Sequence, residues 1–307
     1  MRWLAMVGLL GAVACGSSGD DSSFEEVTPG FGALSGEGTD GNEFGATAAA
    51  TLGTESAVCS DAAKLVYVVS DFGDLYSFKP DALAFTKIGR LSCPGSGTFN
   101  SMAVDRSGVA WVNDINGRLF QVQTSDASCT ATTYQPRQGG FARMGMAYST
   151  DGASQSSEQL YVDGLDTGTQ GLGLYRIDTS ALRASVIGRH TGTLARAQAE
   201  LTGTGDGRLY GFFATQPAVL AQIDRATGAT SNLVSLTNVS TGTAWAFSFW
   251  GGDFWFYTAQ QGRPSTVTRL KSSSDNSLAV VVTNVGNFRI VGAGVSTCAP
   301  TTPPATK

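Results

Sequence analysis

The chain has 307 residues, of which 15% are charged and 39 are glycine, and its net charge is −5. This composition favours an all-β protein with many tight turns and argues against a nucleic-acid binder. The negative charge is concentrated near the N-terminus. Residues 16–57 contain eight acidic residues and no lysine or arginine, whereas the chain from Val58 onward has 19 basic and 17 acidic residues. The sequence therefore joins two physically different segments.

The first 15 residues, MRWLAMVGLLGAVAC, are typical of a secretory signal peptide. Arg2 precedes an apolar stretch that is too short for a lasting membrane span, and small residues then lead to Cys15. The end of this segment resembles a bacterial lipobox, which implies lipidation of Cys15 as the first residue of the mature protein. Cleavage after Ala14 by ordinary signal peptidase is the alternative. We expect an exported protein that a lipid anchor holds in the bacterial cell envelope, at the outer membrane or a periplasmic face.

Residues 16–57 are predicted to form an acidic, Gly/Ser-rich flexible tether. They have no apolar period, and their like charges would keep the segment extended. The folded domain is therefore expected over residues 58–299, followed by a disordered tail over 300–307.

Three short β-rich runs recur five times along the chain. Each unit begins with a run that has an aromatic residue near its middle, at 65–69, 109–113, 159–163, 208–212 and 254–258. A second apolar run follows each of these, at 75–79, 119–123, 174–178, 220–224 and 267–271. A third run rich in β-branched residues then follows. Alternation over such runs, bounded by turn residues, predicts β-strands.

A fourth strand is predicted ahead of each unit except the first, as in NSMAVDR and TAWAFSF. The missing strand is found at the far end of the chain, in FRIVGAGVS at 288–296. Twenty strands in repeats of about 45 residues are the signature of propeller blades. We therefore predict an all-β, five-bladed β-propeller whose first blade is completed by the C-terminal strand, which leaves no exposed sheet edge there.

Four cysteines remain within the predicted domain, and an even count in an exported chain indicates two disulfides. Three pairings are possible. Cys59 and Cys298 lie at the two ends of the predicted propeller, so their pairing would close the domain and would leave Cys93 to pair with Cys129.

The phrase SMAVDRSGVAWVND at 101–114, together with the following run that contains Leu119 and Val122, resembles the repeats of the bacterial NHL and YVTN propeller families. The resemblance extends over about residues 60–298, although later copies keep only the turn and the aromatic run. It implies the propeller fold and no shared activity.

Alignment of the first strand of each predicted blade places one column of residues at a mouth of the central channel. The column contains Ser101, Arg143, Arg196, Trp245 and Arg289. Guanidinium groups suit carboxylate, sulfate or phosphate, and an indole offers a face to a sugar or a cation. The column is thus a candidate site for an anionic ligand. Alternatively, each arginine pairs with a carboxylate such as Glu200 or Asp105, or a shift of one residue turns these side chains into the blade interface.

Acidic residues in the turns after the aromatic runs could bind Ca²⁺ through oxygen ligands. These residues are Asp71, Asp74, Asp114, Asp163 and Asp166. Their spacing matches no EF-hand loop, and Asp in a Gly-rich turn usually serves the turn itself. We predict no metal site, because the cysteines also lack the close pairs of a zinc site and His190 is the single histidine.

His190 is the candidate general base near neutral pH. No Gly-x-Ser-x-Gly sequence accompanies it, and the channel strands offer only two carboxylates, which argues against glycoside hydrolysis by paired acids. The main hypothesis is a non-catalytic binding or scaffolding propeller that uses its channel mouth. One alternative is a hydrolase or lyase that acts on an anionic sugar at the same mouth, and another is a propeller that docks a protein. The expected partners are the membrane, through the anchor, and a protein or an anionic glycan.

Overall fold

The computed structural model describes residues 59–151, 157–165 and 170–304. All of them belong to the unit Gly53–Lys307. The predicted signal peptide with Cys15, the predicted tether and Asp166 lie outside the described residues, as do residues 305–307.

The described residues form five sheets, or blades, of four antiparallel strands each. Blade 1 contains β1 (Val66–Ser70), β2 (Asp74–Lys79), β3 (Ala84–Arg90) and, on its inner side, β20 (Ile290–Val295). Blade 2 contains β4 (Phe99–Val104), β5 (Val109–Asp114), β6 (Leu119–Gln123) and β7 (Cys129–Ala131). Blade 3 contains β8 (Arg143–Thr150), β9 (Glu158–Leu165), β10 (Gly171–Asp178) and β11 (Arg183–Gly188).

The last two blades follow the same order along the chain. Blade 4 contains β12 (Ala199–Gly203), β13 (Leu209–Phe213), β14 (Ala218–Ile223) and β15 (Thr230–Leu236). Blade 5 contains β16 (Ala244–Trp250), β17 (Asp253–Ala259), β18 (Thr266–Leu270) and β19 (Leu278–Val282). Short 3-10 turns lie at Ala62–Lys64, Gln138–Gly140 and Gly192–Leu194.

The innermost strands of the five blades form a closed ring. β4 contacts β8, β8 contacts β12, β12 contacts β16, β16 contacts β20, and β20 contacts β4. The prediction of a five-bladed β-propeller, with its first blade completed by the C-terminal strand, is therefore confirmed.

Hydrophobic clusters between neighbouring blades hold the ring together. The cluster between blades 1 and 2, for example, joins Tyr67 and Val69 of β1 to Met102 and Val104 of β4. Equivalent clusters fill the other four blade interfaces. All five residues of β1 are buried because neighbouring blades cover both faces of the sheet.

The two ends of the propeller are joined by a strand pair and by a disulfide. β20 lies antiparallel to β1, with Val295 opposite Val66 and Ile290 opposite Ser70. Cys59 and Cys298 form a disulfide with their Cα atoms 5.6 Å apart. Cys93 and Cys129 form the second disulfide, with a Cα separation of 4.9 Å. Both predicted pairings are confirmed.

The chain enters and leaves the propeller at the same face. β1 runs from Val66 toward the turn that contains Asp71, and the antiparallel β20 runs back toward Cys298. The disulfide Cys59–Cys298 therefore lies at the face opposite the turn of Asp71. Among the described residues, no helix is long and apolar enough to cross a membrane.

A buried tyrosine hydroxyl in the connection between blades 2 and 3 lacks a hydrogen-bond partner among the described residues. Tyr134 is 4% exposed, and burial raises the pKa of its hydroxyl to about 12. A buried polar group without a partner costs about 1 kcal/mol or more. We therefore expect Tyr134→Phe to raise the free energy of unfolding by about 1 kcal/mol, as measured by urea denaturation.

The matched control is Tyr257→Phe, because Tyr257 is fully buried and its hydroxyl lies 3.0 Å from Ser248 Oγ. Loss of that hydrogen bond should lower the free energy of unfolding by about 1 kcal/mol. If both substitutions changed the free energy of unfolding in the same direction, the conclusion that the Tyr134 hydroxyl has no hydrogen-bond partner would be contradicted.

Candidate functional site

A polar cavity of about 380 Å³ opens at one mouth of the channel, on the face that carries the turn of Asp71. Its wall is formed by the first residues of the innermost strand of each blade. The turns that follow the next strand of the blades complete it. The charged, polar and aromatic residues that matter for the chemistry of this wall are Asp71, Asn100, Arg143, Asp163, Gln198, Glu200, Trp245 and Arg289.

Three of the five residues in the predicted column line this cavity, and two do not. Arg143, Trp245 and Arg289 belong to its wall. Ser101 is fully buried on β4, and it reaches the wall only through a hydrogen bond to Glu200. Arg196 is exposed three residues before β12, and Gln198 lies on the wall in its place.

The shift at Arg196 has a local structural cause. A 3-10 turn at Gly192–Leu194 precedes β12, and the strand begins only at Ala199. The alignment of the sequence copies counted Arg196 as part of the strand. In the structure, Arg196 lies in the connection to it, where its backbone carbonyl accepts a hydrogen bond from the Gly171 N–H.

Arg289 is neutralised by an ion pair. Its Nε lies 2.9 Å from Asp71 Oδ2, and its backbone N–H donates to Asp71 Oδ1 at 3.0 Å. Its Nη1 lies 3.4 Å from Thr243 Oγ1. The carboxylate that pairs with this arginine is thus Asp71, and neither Glu200 nor Asp105 has that role.

Arg143 differs from Arg289 because no carboxylate in the described part of the chain pairs with it. It is the first residue of β8, and its side chain is exposed at the rim of the cavity. A guanidinium in this position presents its planar set of donors to the cavity.

Trp245 presents part of its indole to the cavity. Its ring packs edge-on against Phe212, with centroids 5.8 Å apart, and the residue is half-buried. The neighbouring aromatics of blade 5 are in the core. Trp250 Nε1 donates to the Lys64 carbonyl and Trp255 Nε1 to the Trp250 carbonyl. Trp245 is therefore the member of this group that is available to a ligand.

Glu200 forms part of the cavity floor and is 6% exposed. Its Oε2 accepts a hydrogen bond of 2.6 Å from Ser101 Oγ, across the channel from blade 2. Burial raises the pKa of Glu200 well above its usual range. The bond from Ser101 opposes this change, and the charge of Asp163 adds to it. The environment therefore favours the neutral carboxylic acid.

The raised pKa of Glu200 makes the stability of the protein depend on pH. Above pH 4.5 the unfolded chain releases this proton while the folded protein retains it, so stability falls as pH rises toward the folded-state pKa. Glu200→Gln removes this titration. In urea denaturation between pH 4 and 8, the free energy of unfolding of the variant relative to that of wild type should rise by up to about 1.4 kcal/mol per pH unit. A gap that does not change with pH would contradict the raised pKa.

His190 lies behind the cavity wall in a buried pair with Asp163. Its Nε2 is 2.6 Å from Asp163 Oδ2, and its Nδ1 is 2.9 Å from the carbonyl oxygen of Gly228. Because a carbonyl only accepts, Nδ1 carries a proton. The other oxygen of Asp163 accepts the Ala199 N–H at 3.0 Å. Both ring nitrogens of His190 therefore have hydrogen-bond partners, and the side chain is fully buried.

The pKa of His190 reflects two opposing effects. Burial lowers it, but the hydrogen bond and the charge of Asp163, together with the Gly228 carbonyl, raise it above 6.5 overall. Sequence reasoning placed His190 in an ordinary loop. Its pairing with Asp163, 27 residues earlier in the chain, is formed only by the fold.

Four of the five acidic residues considered for Ca²⁺ are described by the structure, and each of the four makes contacts of another kind. Asp71 pairs with Arg289, Asp163 with His190, and Asp74 with Arg90 and Lys87. Asp114 pairs with Arg118 at 2.9 Å and also accepts the N–H groups of its own turn. The described residues contain no group of three or more His, Cys, Asp or Glu side chains that could hold a metal ion.

No protein-family model matches the chain, and no curated protein matches it. The resemblance to NHL and YVTN repeats thus stays a prediction. The class of protein that the fold and the site define is a five-bladed β-propeller with a polar cavity at its channel mouth.

Two of the solved structures that match the chain align with it at low similarity. Hydrazine synthase of Kuenenia stuttgartiensis aligns with a TM-score of 0.38 and 13% identity, over 77% of this chain and 71% of that one. TolB from Acinetobacter baumannii aligns with a TM-score of 0.42 and 13% identity, over 72% of this chain and about half, 51%, of that one. Likenesses at this level support no argument about function.

Proposed function

We propose that this protein is an envelope-anchored, non-catalytic β-propeller that binds a small anionic ligand at the mouth of its channel. The observation that carries the proposal is the Arg143 guanidinium, which is exposed on the cavity wall without a carboxylate partner among the described residues.

The charges of the other wall residues leave Arg143 as the main unbalanced charge of the cavity. Arg289 and Asp71 neutralise each other, and Asp163 is paired with His190. Burial raises the pKa of Glu200 and so favours its neutral acid. A cavity with one uncompensated guanidinium attracts an anion, and the planar donor set of arginine suits a carboxylate in particular.

The arrangement of His190 favours binding over catalysis. A general base must come within hydrogen-bond reach of the proton that it removes. In this structure the Asp163 carboxyl and the Gly228 carbonyl occupy the two ring nitrogens of His190, which lies behind the wall. Catalysis by His190 would require this pair to open.

The two disulfides support an envelope location, because such bonds suit an oxidising compartment outside the cytoplasm. Lipidation can be tested by mass spectrometry of the membrane-extracted protein, with Cys15→Ser as its control.

The ligand site is tested by calorimetric titration of the purified full chain with glucuronate, a small carboxylate. We expect saturable binding that is weakened at least tenfold by Arg143→Ala, since a charge-assisted hydrogen bond contributes about 1.5–3 kcal/mol.

The matched control for this titration is Arg183→Ala. Arg183 is an exposed arginine on the outer strand of the same blade, so its replacement changes the net charge equally. Binding that is unchanged in Arg143→Ala, or weakened equally by both substitutions, would overturn the site at the channel mouth.

A further inference from the structure

The cavity floor contains a polar atom that has no hydrogen-bond partner among the described residues. Glu200 Oε2 accepts the hydrogen bond from Ser101, but no described residue bonds its other oxygen, Oε1. Glu200 is only 6% exposed, and yet it lines the cavity. A carboxyl group in such a position is an unfilled hydrogen-bonding site that a bound ligand can complete.

We propose that the ligand is a hydroxylated carboxylic acid of monosaccharide size, whose carboxylate is bound by Arg143 and one of whose hydroxyl groups is hydrogen-bonded to Glu200 on the floor. This inference rests on the proposed function, because it names the class of ligand for the same cavity and adds Glu200 as a specificity-determining residue.

A hydroxyl group fits Glu200 better than an ammonium group does. An ammonium partner is bound most strongly by the ionised carboxylate, and burial together with the neighbouring Asp163 opposes ionisation at this position. A hydroxyl can donate to the carboxyl or accept from it, so it pairs with the neutral acid without the loss of a proton. Ser101 already uses Glu200 in this way, from a neutral hydroxyl at 2.6 Å.

The remaining wall residues also suit a ring that bears hydroxyl groups. Asn100 donates from Nδ2 to the Met144 carbonyl at 3.0 Å, which leaves its Oδ1 without a partner among the described residues. Gln198 lines the wall with a neutral amide. Trp245 offers the apolar face on which the C–H groups of a sugar ring can pack. Neutral acceptors and donors, one aromatic face and one guanidinium without a carboxylate partner, that of Arg143, together match an acidic sugar.

The experiment compares matched probes by calorimetric titration of the full chain. Glucuronate carries both a carboxylate and ring hydroxyls, cyclohexanecarboxylate carries only the carboxylate, and glucose carries only the hydroxyls. A fourth probe, 4-(aminomethyl)cyclohexanecarboxylate, replaces the hydroxyls by an ammonium group. We expect glucuronate to bind at least tenfold more tightly than each of the other three.

The same titrations are repeated with two variants of Glu200. Glu200→Ala should remove the preference for glucuronate over cyclohexanecarboxylate and leave the binding of cyclohexanecarboxylate within twofold. Glu200→Gln, which keeps the shape and a hydrogen bond, should retain most of the preference. The wild-type comparison needs no variant, so the inference stays testable even if Glu200→Ala does not fold.

The outcomes separate this inference from the proposed function. Three results would contradict a hydroxylated ligand but not an anion site. They are equal binding of glucuronate and cyclohexanecarboxylate, a preference for glucuronate that persists in Glu200→Ala, and tightest binding of the amine. Absence of binding by both glucuronate and cyclohexanecarboxylate, or binding of both that Arg143→Ala does not weaken, would overturn the proposed function and this inference with it.

Discussion

Replacement of Cys59 and Cys298 together by alanine is expected to lower the free energy of unfolding by about 5 kcal/mol. Their disulfide spans 239 residues of sequence, so it restricts nearly the whole unfolded propeller. In the chain-entropy account, stabilisation by a disulfide grows with the length of the loop that it closes. The disulfide also holds the end of β20 beside the start of β1, where the ring closes.

The matched control is the double replacement of Cys93 and Cys129, whose disulfide spans 36 residues. The same relation predicts a smaller loss, of about 4 kcal/mol. Both losses are measured by urea denaturation under non-reducing conditions. A loss below about 2 kcal/mol for the Cys59–Cys298 pair would show that the pairing of β20 with β1 closes the ring without help from the disulfide.

Asp163→Ala is expected to destabilise the protein by about 3–5 kcal/mol, because removal of one member of a buried pair leaves the other uncompensated. Both side chains of the Asp163–His190 pair are almost completely buried. The substitution would leave His190 Nε2 and the Ala199 N–H without their acceptor.

The control for this prediction is Asp163→Asn. An asparagine can accept from the Ala199 N–H and donate to a neutral His190, so the expected loss is about 1 kcal/mol. If Asp163→Asn proved as destabilising as Asp163→Ala, the loss would be due to the negative charge rather than to the hydrogen bonds.

The pair also gives the stability a defined pH dependence. The folded-state pKa of His190 is raised above 6.5, so the folded protein retains this proton where the unfolded chain has lost it. The pair makes its full contribution to the free energy of unfolding below pH 6.5, and this contribution is lost as pH rises through the folded-state pKa of His190. Because the raised pKa of Glu200 also makes stability fall with rising pH, the test is made in the Glu200→Gln background. There, Asp163→Asn should abolish the decline due to His190, and its persistence would contradict the raised pKa of His190.

The architecture could be predicted from the sequence because its signals are local and repeated. Each blade repeats alternating apolar residues, an aromatic residue in its second strand and Gly or Asp turns. The segment FRIVGAGVS supplies the strand that the first blade lacks, and this assignment predicts the strand order of that blade, in which the segment is β20. The disulfide pairing followed from that closure, since β20 ends close to Cys298 and β1 begins close to Cys59.

The candidate site could be predicted only in part, because its contacts join residues far apart in the chain. Ser101 and Glu200 are 99 residues apart and meet across the channel. Sequence reasoning treated Glu200 as a partner for arginine, although its position between the apolar residues Ala199 and Leu201 on an inner strand was a signal of a buried acid. Arg196 was misplaced because the 3-10 turn before β12 shifts the strand start.

A crystal structure of the protein with glucuronate tests most directly whether the channel mouth holds an acidic ligand through Arg143. We expect the carboxylate within hydrogen-bond distance of the Arg143 guanidinium, the sugar ring against Trp245 and a hydroxyl within reach of Glu200 Oε1. Glucuronate bound elsewhere on the propeller, or a cavity that holds only water at a saturating concentration, would contradict this expectation.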